Sequence, residues 1–216
     1  MVCKPVSEIL SSEDKAKAFL FSSVSRETYM RMEVYDALLQ RWQKMINLVA
    51  PSTLNQVWLR HIADSNQVFN LYPAVRRWVD FGSGGGFPGL ITAIRLKETE
   101  TGSVLLIESD KRKCAFLREV IRETGARAEV QVGRVEDYSM ELAGKFEIVT
   151  ARALASLTQL LVYSEPLIAG GALALFLKGK DTQVELTAVP NIDKYRHRLW
   201  PSQTDRHGSI VEIARS

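Results

Sequence analysis

The sequence predicts an α/β protein: a mostly parallel, seven-stranded sheet that closes on an antiparallel C-terminal hairpin, preceded by an N-terminal helical extension. Three observations carry this expectation. From Val75 onward, short and nearly continuous apolar runs alternate with helix-length segments. Strands of that kind are buried on both faces, as in a parallel sheet covered by helices. A glycine-rich turn follows the first run, and the last two runs are joined only by a turn, Pro201 to Gly208.

Residues 1–72 read as helical and residues 73–216 as the sheet domain. Ser11 or Ser12 can cap a short helix through residue 22. Tyr29, Met32, Tyr35, Leu39, Trp42 and Ile46 recur at three- or four-residue steps, one face of a long helix. The segment Asn47 to Pro51 breaks it. Thr53 and Gln56 then have capping-box spacing, ahead of a helix that turns Val57, Trp58, Ile62, Val68 and Phe69 to a core. Strands are expected over 75–81, 103–108, 128–132, 146–151 and 172–178, with helices over 88–98, 111–124 and 154–168 and a final strand pair in 193–200 and 209–215.

A chain of 216 residues with 46% hydrophobic and 25% charged residues is an ordinary globular composition. It holds no uninterrupted apolar stretch of the roughly 18 residues a membrane helix needs. The N-terminus lacks a hydrophobic signal core, so a cytoplasmic location is expected, with no membrane partner. Cys3 and Cys114 are too few and too far apart for a disulfide framework or a zinc site, and no metal is expected. The net charge of +3 permits a nucleic-acid partner without requiring one.

The segment from Asp80 to Gly89, DFGSGGGFPG, follows a strand and opens a helix. Glycines let the backbone turn sharply and approach a ligand, and the helix start offers free N–H groups. A dinucleotide fingerprint wants a small third residue for close helix–strand packing. Phe87 stands there and is too large. Asp80, Gly82, Gly84 and Gly86 instead fit D-x-G-x-G-x-G, which resembles motif I of S-adenosylmethionine enzymes. With the terminal hairpin, that spacing suggests a class I (Rossmann-like) methyltransferase. Glu108 ends the second strand, where a carboxylate can take both hydroxyls of a ribose. The loop Gly133 to Asp137 borders the adenine in such a fold, and the backbone around Val135 and Glu136 can read the ring.

Taken together, FGSGGGFPGL, the NLV and RHIADS segments, RVED, TARALASL and LFLKGK resemble the glucose-inhibited division protein B group, bacterial methyltransferases that modify N7 of a guanine in 16S ribosomal RNA. The resemblance runs in order from about Tyr35 to Lys180. It implies S-adenosyl-L-methionine as cofactor and 16S ribosomal RNA or the small subunit as partner. It also places Gly82, Phe87, Val135, Glu136 and Arg152 at cofactor-binding positions. The family pattern usually has an aspartate where Glu108 stands.

Arg152, just past the fourth strand, lies at the sheet edge where ligands bind in open α/β folds. It is expected to position a base, a phosphate or the donor carboxylate. Guanine N7 attacks through an in-plane lone pair, so no general base is expected. Lys178 and Lys180 follow the fifth strand at the same edge and are candidates for RNA phosphates. Arg60 and His61 share a helical face with Asp64, either as a local ion-pair cluster or as part of an RNA-facing wall. Lys111, Arg112 and Lys113 read as a solvated face, Cys114 as packed, and the protein as a monomer. Competing readings are an NAD(P)-linked oxidoreductase and a non-catalytic RNA-binding assembly factor.

Overall fold

The structure, a computed structural model, describes residues 9–99 and 101–216; Cys3 lies outside the described residues. Helix α1 (Glu13–Ser23) starts at Ser12, whose hydroxyl accepts from the Lys15 amide at 3.3 Å. Helix α2 (Arg26–Trp42) buries Met32, Tyr35 and Leu39 but stops short of Ile46. The expected capping box at Thr53 and Gln56 does not form. Those residues lie in a 3-10 turn, Pro51–Gln56. The run beyond splits into a π-helical segment, Trp58–Ala63, and α3 (Asp64–Leu71). Its cap comes from far away in sequence: the two carboxylate oxygens of Glu13 accept from the amides of Trp58 and Leu59, each at 2.9 Å. An ionised acceptor bonds such orphan amides more strongly than a neutral one.

The seven strands are β1 (Arg77–Phe81), β2 (Ser103–Glu108), β3 (Ala128–Val132), β4 (Ile148–Arg152), β5 (Leu173–Lys178), β6 (Tyr195–Pro201) and β7 (Ser209–Arg215). They lie in the order β3-β2-β1-β4-β5-β7-β6. The first five are parallel, and β7 inserts antiparallel between β5 and β6, with Phe176 opposite Val211 and Trp200 opposite Ile210. The insertion separates this sheet from the all-parallel order 3-2-1-4-5-6 of dinucleotide folds.

The crossovers are α4 (Gly89–Leu96), α5 (Lys111–Thr124), α6 (Val135–Tyr138), α7 (Leu157–Ala169) and α8 (Thr182–Thr187). One face of the sheet, through Trp78, Leu106 and Leu175, shares a single core with α1 to α5; the other packs Val79, Val149 and Phe176 against α7 and α8. The N-terminal helices therefore form part of one covering layer. The chain leaves β1 towards β2 and β3, then returns to β4 on the other side. The crevice at the carboxyl ends of β1 and β4 is the switch point where such sheets bind ligands.

Candidate functional site

A cleft of about 560 Å³ opens at that switch point. Its floor is the glycine loop after β1. Gly82 and Gly84 have φ of +62° and +55°, the left-handed region that disfavours side chains. A Cβ on Gly82 would stand 2.5 Å from Leu154 Cδ1. Across the floor, Glu108 at the end of β2 is only 7% exposed. Its Oε2 accepts from the Gly84 amide at 2.9 Å and its Oε1 from the Asp110 amide at 2.8 Å. A carboxylate has about four acceptor sites, so two firm backbone bonds fix Glu108 and leave capacity for a diol. Val135 and Glu136, at the start of α6, line the far side. The Glu136 carboxyl is held below its ordinary range by its own amide and by Tyr163.

The near wall comes from the N-terminal layer. Phe87 sits between Tyr35 and His61, each stacked on it at a centroid distance of 5.0 Å. The Tyr35 hydroxyl donates to the Gly85 carbonyl, tying α2 to the glycine loop. The Arg152 guanidinium lies 5.0 Å over the same Phe87 ring. Its Nη1 donates to His61 Nδ1 at 2.7 Å and to the Arg60 carbonyl at 3.2 Å. Arginine cannot accept, so Nδ1 is bare and Nε2 carries the proton. Nε2 then donates to Thr53 Oγ1 at 2.8 Å, and Thr53 donates to the Ala50 carbonyl, also at 2.8 Å. The relay has one consistent direction. Burial, then the Arg152 and Arg60 charges, push the His61 pKa down to about 3. His61 is neutral, with both nitrogens engaged, and acts as a spacer that orients Arg152. Burial also lowers the Arg152 pKa.

The structure brings Gly82, Gly84, Phe87, Glu108, Val135, Glu136, His61 and Arg152 together around the cleft. It sets two expected cofactor contacts elsewhere. Asp80 is fully buried beneath the loop, where its Oδ1 accepts from Thr150 Oγ1 at 2.6 Å and burial pushes its pKa up to about 6. Gly86 faces away from the cleft: a Cβ there would stand 2.4 Å from Leu90 Cδ1 and 2.6 Å from the Tyr35 oxygen. Gly89 supplies the tight packing that Phe87 cannot, since its Cβ would stand 2.4 Å from Leu106 Cδ2.

Of the residues considered for RNA, Arg60 pairs with Asp205 at 2.8 Å instead of with Asp64. The i,i+4 spacing assumed ordinary α-helix, and the π-winding over Trp58–Ala63 shifts those faces. Lys178 pairs with Glu185 at 2.7 Å and is largely covered, whereas Lys180 is exposed. Lys113 reaches the cleft lining, and Cys114 is buried.

Sequence reasoning passed over the cleft's cover, Leu48 to Ala50. Gln43 shapes it: its Oε1 accepts from the Leu48 and Val49 amides at 2.8 and 3.1 Å, and its Nε2 donates to the Val49 carbonyl at 2.9 Å. The sequence marks this stretch by the helix break at Asn47 and by the NLV segment of the family resemblance, neither of which assigns it a place over the cleft.

The GidB family, described as rRNA small subunit methyltransferase G, matches residues 28–197. The chain belongs to this family. The ribosomal RNA small subunit methyltransferase G of Rhodopseudomonas palustris strain BisB18 is 48% identical over 200 residues, 93% of this chain and 86% of that protein. The protein of the same name from Bradyrhizobium sp. strain BTAi1 is 47% identical over 214 residues, 97% of this chain and 96% of the relative. Among solved structures, a methyltransferase from Geobacter sulfurreducens superposes with a TM-score of 0.61 at 14% identity, covering 97% of this chain and 99% of that one. A mutant of MtNAS in complex with S-adenosylmethionine gives 0.55 at 16% identity, over 94% of this chain and 84% of the other. Both show the fold that this GidB chain shares with class I methyltransferases. The family match covers α2 from Thr28 onward, the glycine loop and the Arg152–His61–Thr53 relay, and so spans both walls of the cleft.

Proposed function

We propose that the cleft binds S-adenosylmethionine and that the protein transfers its methyl group to N7 of a guanine in 16S ribosomal RNA. One observation supports this most: a glycine floor, fixed by Tyr35 and Glu108, faces an arginine-lined wall whose histidine, among the described residues, has both nitrogens engaged. Gly82 and Gly84 give room for close approach, and Glu108 keeps acceptor capacity for the ribose hydroxyls. The turn at Val135, on the far side of the cleft, would border the purine. The cofactor, when bound, supplies an electrophilic sulfonium methyl.

Guanine N7 carries an in-plane lone pair and could accept that methyl directly: the N–CH3 bond would form as the S–CH3 bond breaks, and the positive charge would pass from sulfur to the base. No proton moves. The protein's task is then to align donor and acceptor, which can supply most of the acceleration. The neutral and doubly engaged His61 suits that scheme. Arg152 fixes the acceptor from the wall. Among the described residues both of its hydrogen bonds run through Nη1, leaving Nε and Nη2 to a ligand.

The test is transfer of labelled methyl from S-adenosylmethionine to unmodified 16S RNA or small subunits, followed by mass spectrometry of nuclease digests and aniline scission at N7-methylguanine. Label at guanine N7 is expected. Label at another atom would refute the assignment. Intact donor binding without transfer would make the protein an assembly factor.

A further inference from the structure

A second cleft of about 280 Å³ shares Thr53, His61, Arg152 and Ala153 with the first, so Arg152 and His61 stand in a partition between the two. Three carboxylates line it. Asp205 is neutralised by Arg60 at 2.8 Å and Glu185 by Lys178 at 2.7 Å. Asp64 differs. Its Oδ1 accepts from the hydroxyls of Ser202 and Thr204 at 2.9 and 3.0 Å. Among the described residues no cation stands within ion-pair distance of it and its Oδ2 has no hydrogen-bond partner; burial pushes its pKa up, opposed by the nearby Arg152 charge, the two hydroxyls and Arg60. The side chain is half-buried and lines the cleft. A hydroxyl-clamped carboxylate with one open oxygen repels phosphate and calls for N–H donors.

Resting on the functional reading above, we propose that this second cleft receives the acceptor guanine and that Asp64 reads its Watson–Crick edge. Among the four RNA bases only guanine offers two adjacent donors there, N1–H and the N2 amino group. Adenine would set its N1 lone pair against the carboxylate. Uracil flanks N3–H with two carbonyls, and cytosine offers one amino group beside a bare N3. The order of groups around the guanine ring, N2, N1, O6, N7, follows the order of features in the protein. The open Oδ2 of Asp64 accepts from both N1–H and the N2 amino group, Arg152 on the partition donates to O6, and N7 is left facing the donor cleft.

The test uses synthetic RNA carrying guanine or inosine at the mapped position; inosine keeps N1–H, O6 and N7 but lacks the N2 amino group. The wild type is expected to methylate guanine on the order of tenfold better in kcat/KM, the size of one hydrogen bond to a charged acceptor. In Asp64→Asn the amide oxygen can still accept from Ser202 and Thr204 while the amino group turns outward. Overall methylation should then fall about tenfold and the guanine-to-inosine ratio shrink to within about twofold, with donor affinity unchanged. A wild type that treats guanine and inosine alike would overturn the assignment without any variant. So would an Asp64→Asn protein that keeps the full ratio, or one that loses donor binding. A wild type that methylates no guanine N7 at all would remove the functional reading and this assignment together.

Discussion

The two walls of the cleft at the switch point are built on opposite principles. The glycine loop works through what it lacks: Gly82, Gly84 and Gly86 hold left-handed backbone, and a Cβ would meet Leu154 at Gly82 and both Leu90 and Tyr35 at Gly86. The facing wall works through side chains that lock one another, Arg152 on His61, His61 on Thr53, and all of them around Phe87. The difference teaches that the first wall should fail abruptly by collision, and the second gradually, one hydrogen bond at a time.

The largest effect is expected from Gly86→Ala. A residue with φ of +93° and a Cβ 2.4 Å from Leu90 combines backbone strain with overpacking, together about 2–5 kcal/mol. Chemical denaturation should show that loss, and donor titration should show weakened binding although Gly86 does not line the cleft. A variant as stable as the wild type would mean that the loop is not sterically set. Next comes Arg152→Ala. Removing a charged hydrogen-bond donor costs roughly 1.5–3 kcal/mol, so kcat/KM for methyl transfer should fall about ten- to a hundredfold. Arg152→Lys should recover only part, because one ammonium cannot both reach His61 and keep a planar fork toward the ligand.

His61→Phe keeps the stack on Phe87 and removes the relay. Its signature is in pH. The folded imidazole has a pKa of about 3 against 6.5 for the free group, so below pH 6.5 the unfolded chain binds a proton that the folded one refuses. Its share of stability is full above 6.5 and is lost progressively as pH falls towards 3. Asp80 acts in the opposite sense. With a folded pKa of about 6 against 3.8, its share is full below 3.8 and lost as pH rises through 6. Between these limits the two partly cancel in the wild type. The difference between wild type and His61→Phe, followed by urea denaturation at pH 7 and pH 5, isolates the histidine. The wild type should lose stability relative to the variant on acidification, and parallel behaviour would put a charged histidine in the fold. The smallest effect belongs to Thr53→Val, about 1 kcal/mol for one hydrogen bond. In a double-mutant cycle its effect should shrink once Arg152 is gone, and strict additivity would deny the relay.

The contrast also governs what could be read from sequence. Four buried strands announce themselves as apolar runs, and the glycine loop as a spacing, because both are local; β3, at the sheet edge, is only half-buried and departs from the expectation of strands covered on both faces. β4 reaches one residue further than its apolar run and carries Arg152 within it, a small shift that leaves the side chain at the same edge. Asp80 belongs to the same readable motif, yet β1 is buried on both faces beyond its first residue, so the aspartate packs against α4. In the segment from Ala50 to Asp64 the core-facing Val57, Trp58 and Ile62 are legible, but the winding and the partners are not. Its cap is a glutamate 45 residues upstream, its π-winding breaks the period of 3.6 on which face assignments rest, and its partners Asp205, Ser202 and Thr204 lie at the other end of the chain. Thr53 looked like a helix cap and Phe87 like a misfit in a fingerprint. Each makes sense only beside the other wall.

The most direct trial of the two-wall account is a crystal structure with S-adenosylhomocysteine. The account expects the ligand between the glycine loop and Val135, its ribose hydroxyls on Glu108, and its sulfur directed to the partition held by Arg152. Density confined to the second cleft, or a ligand-free cleft at saturating concentration, would contradict it.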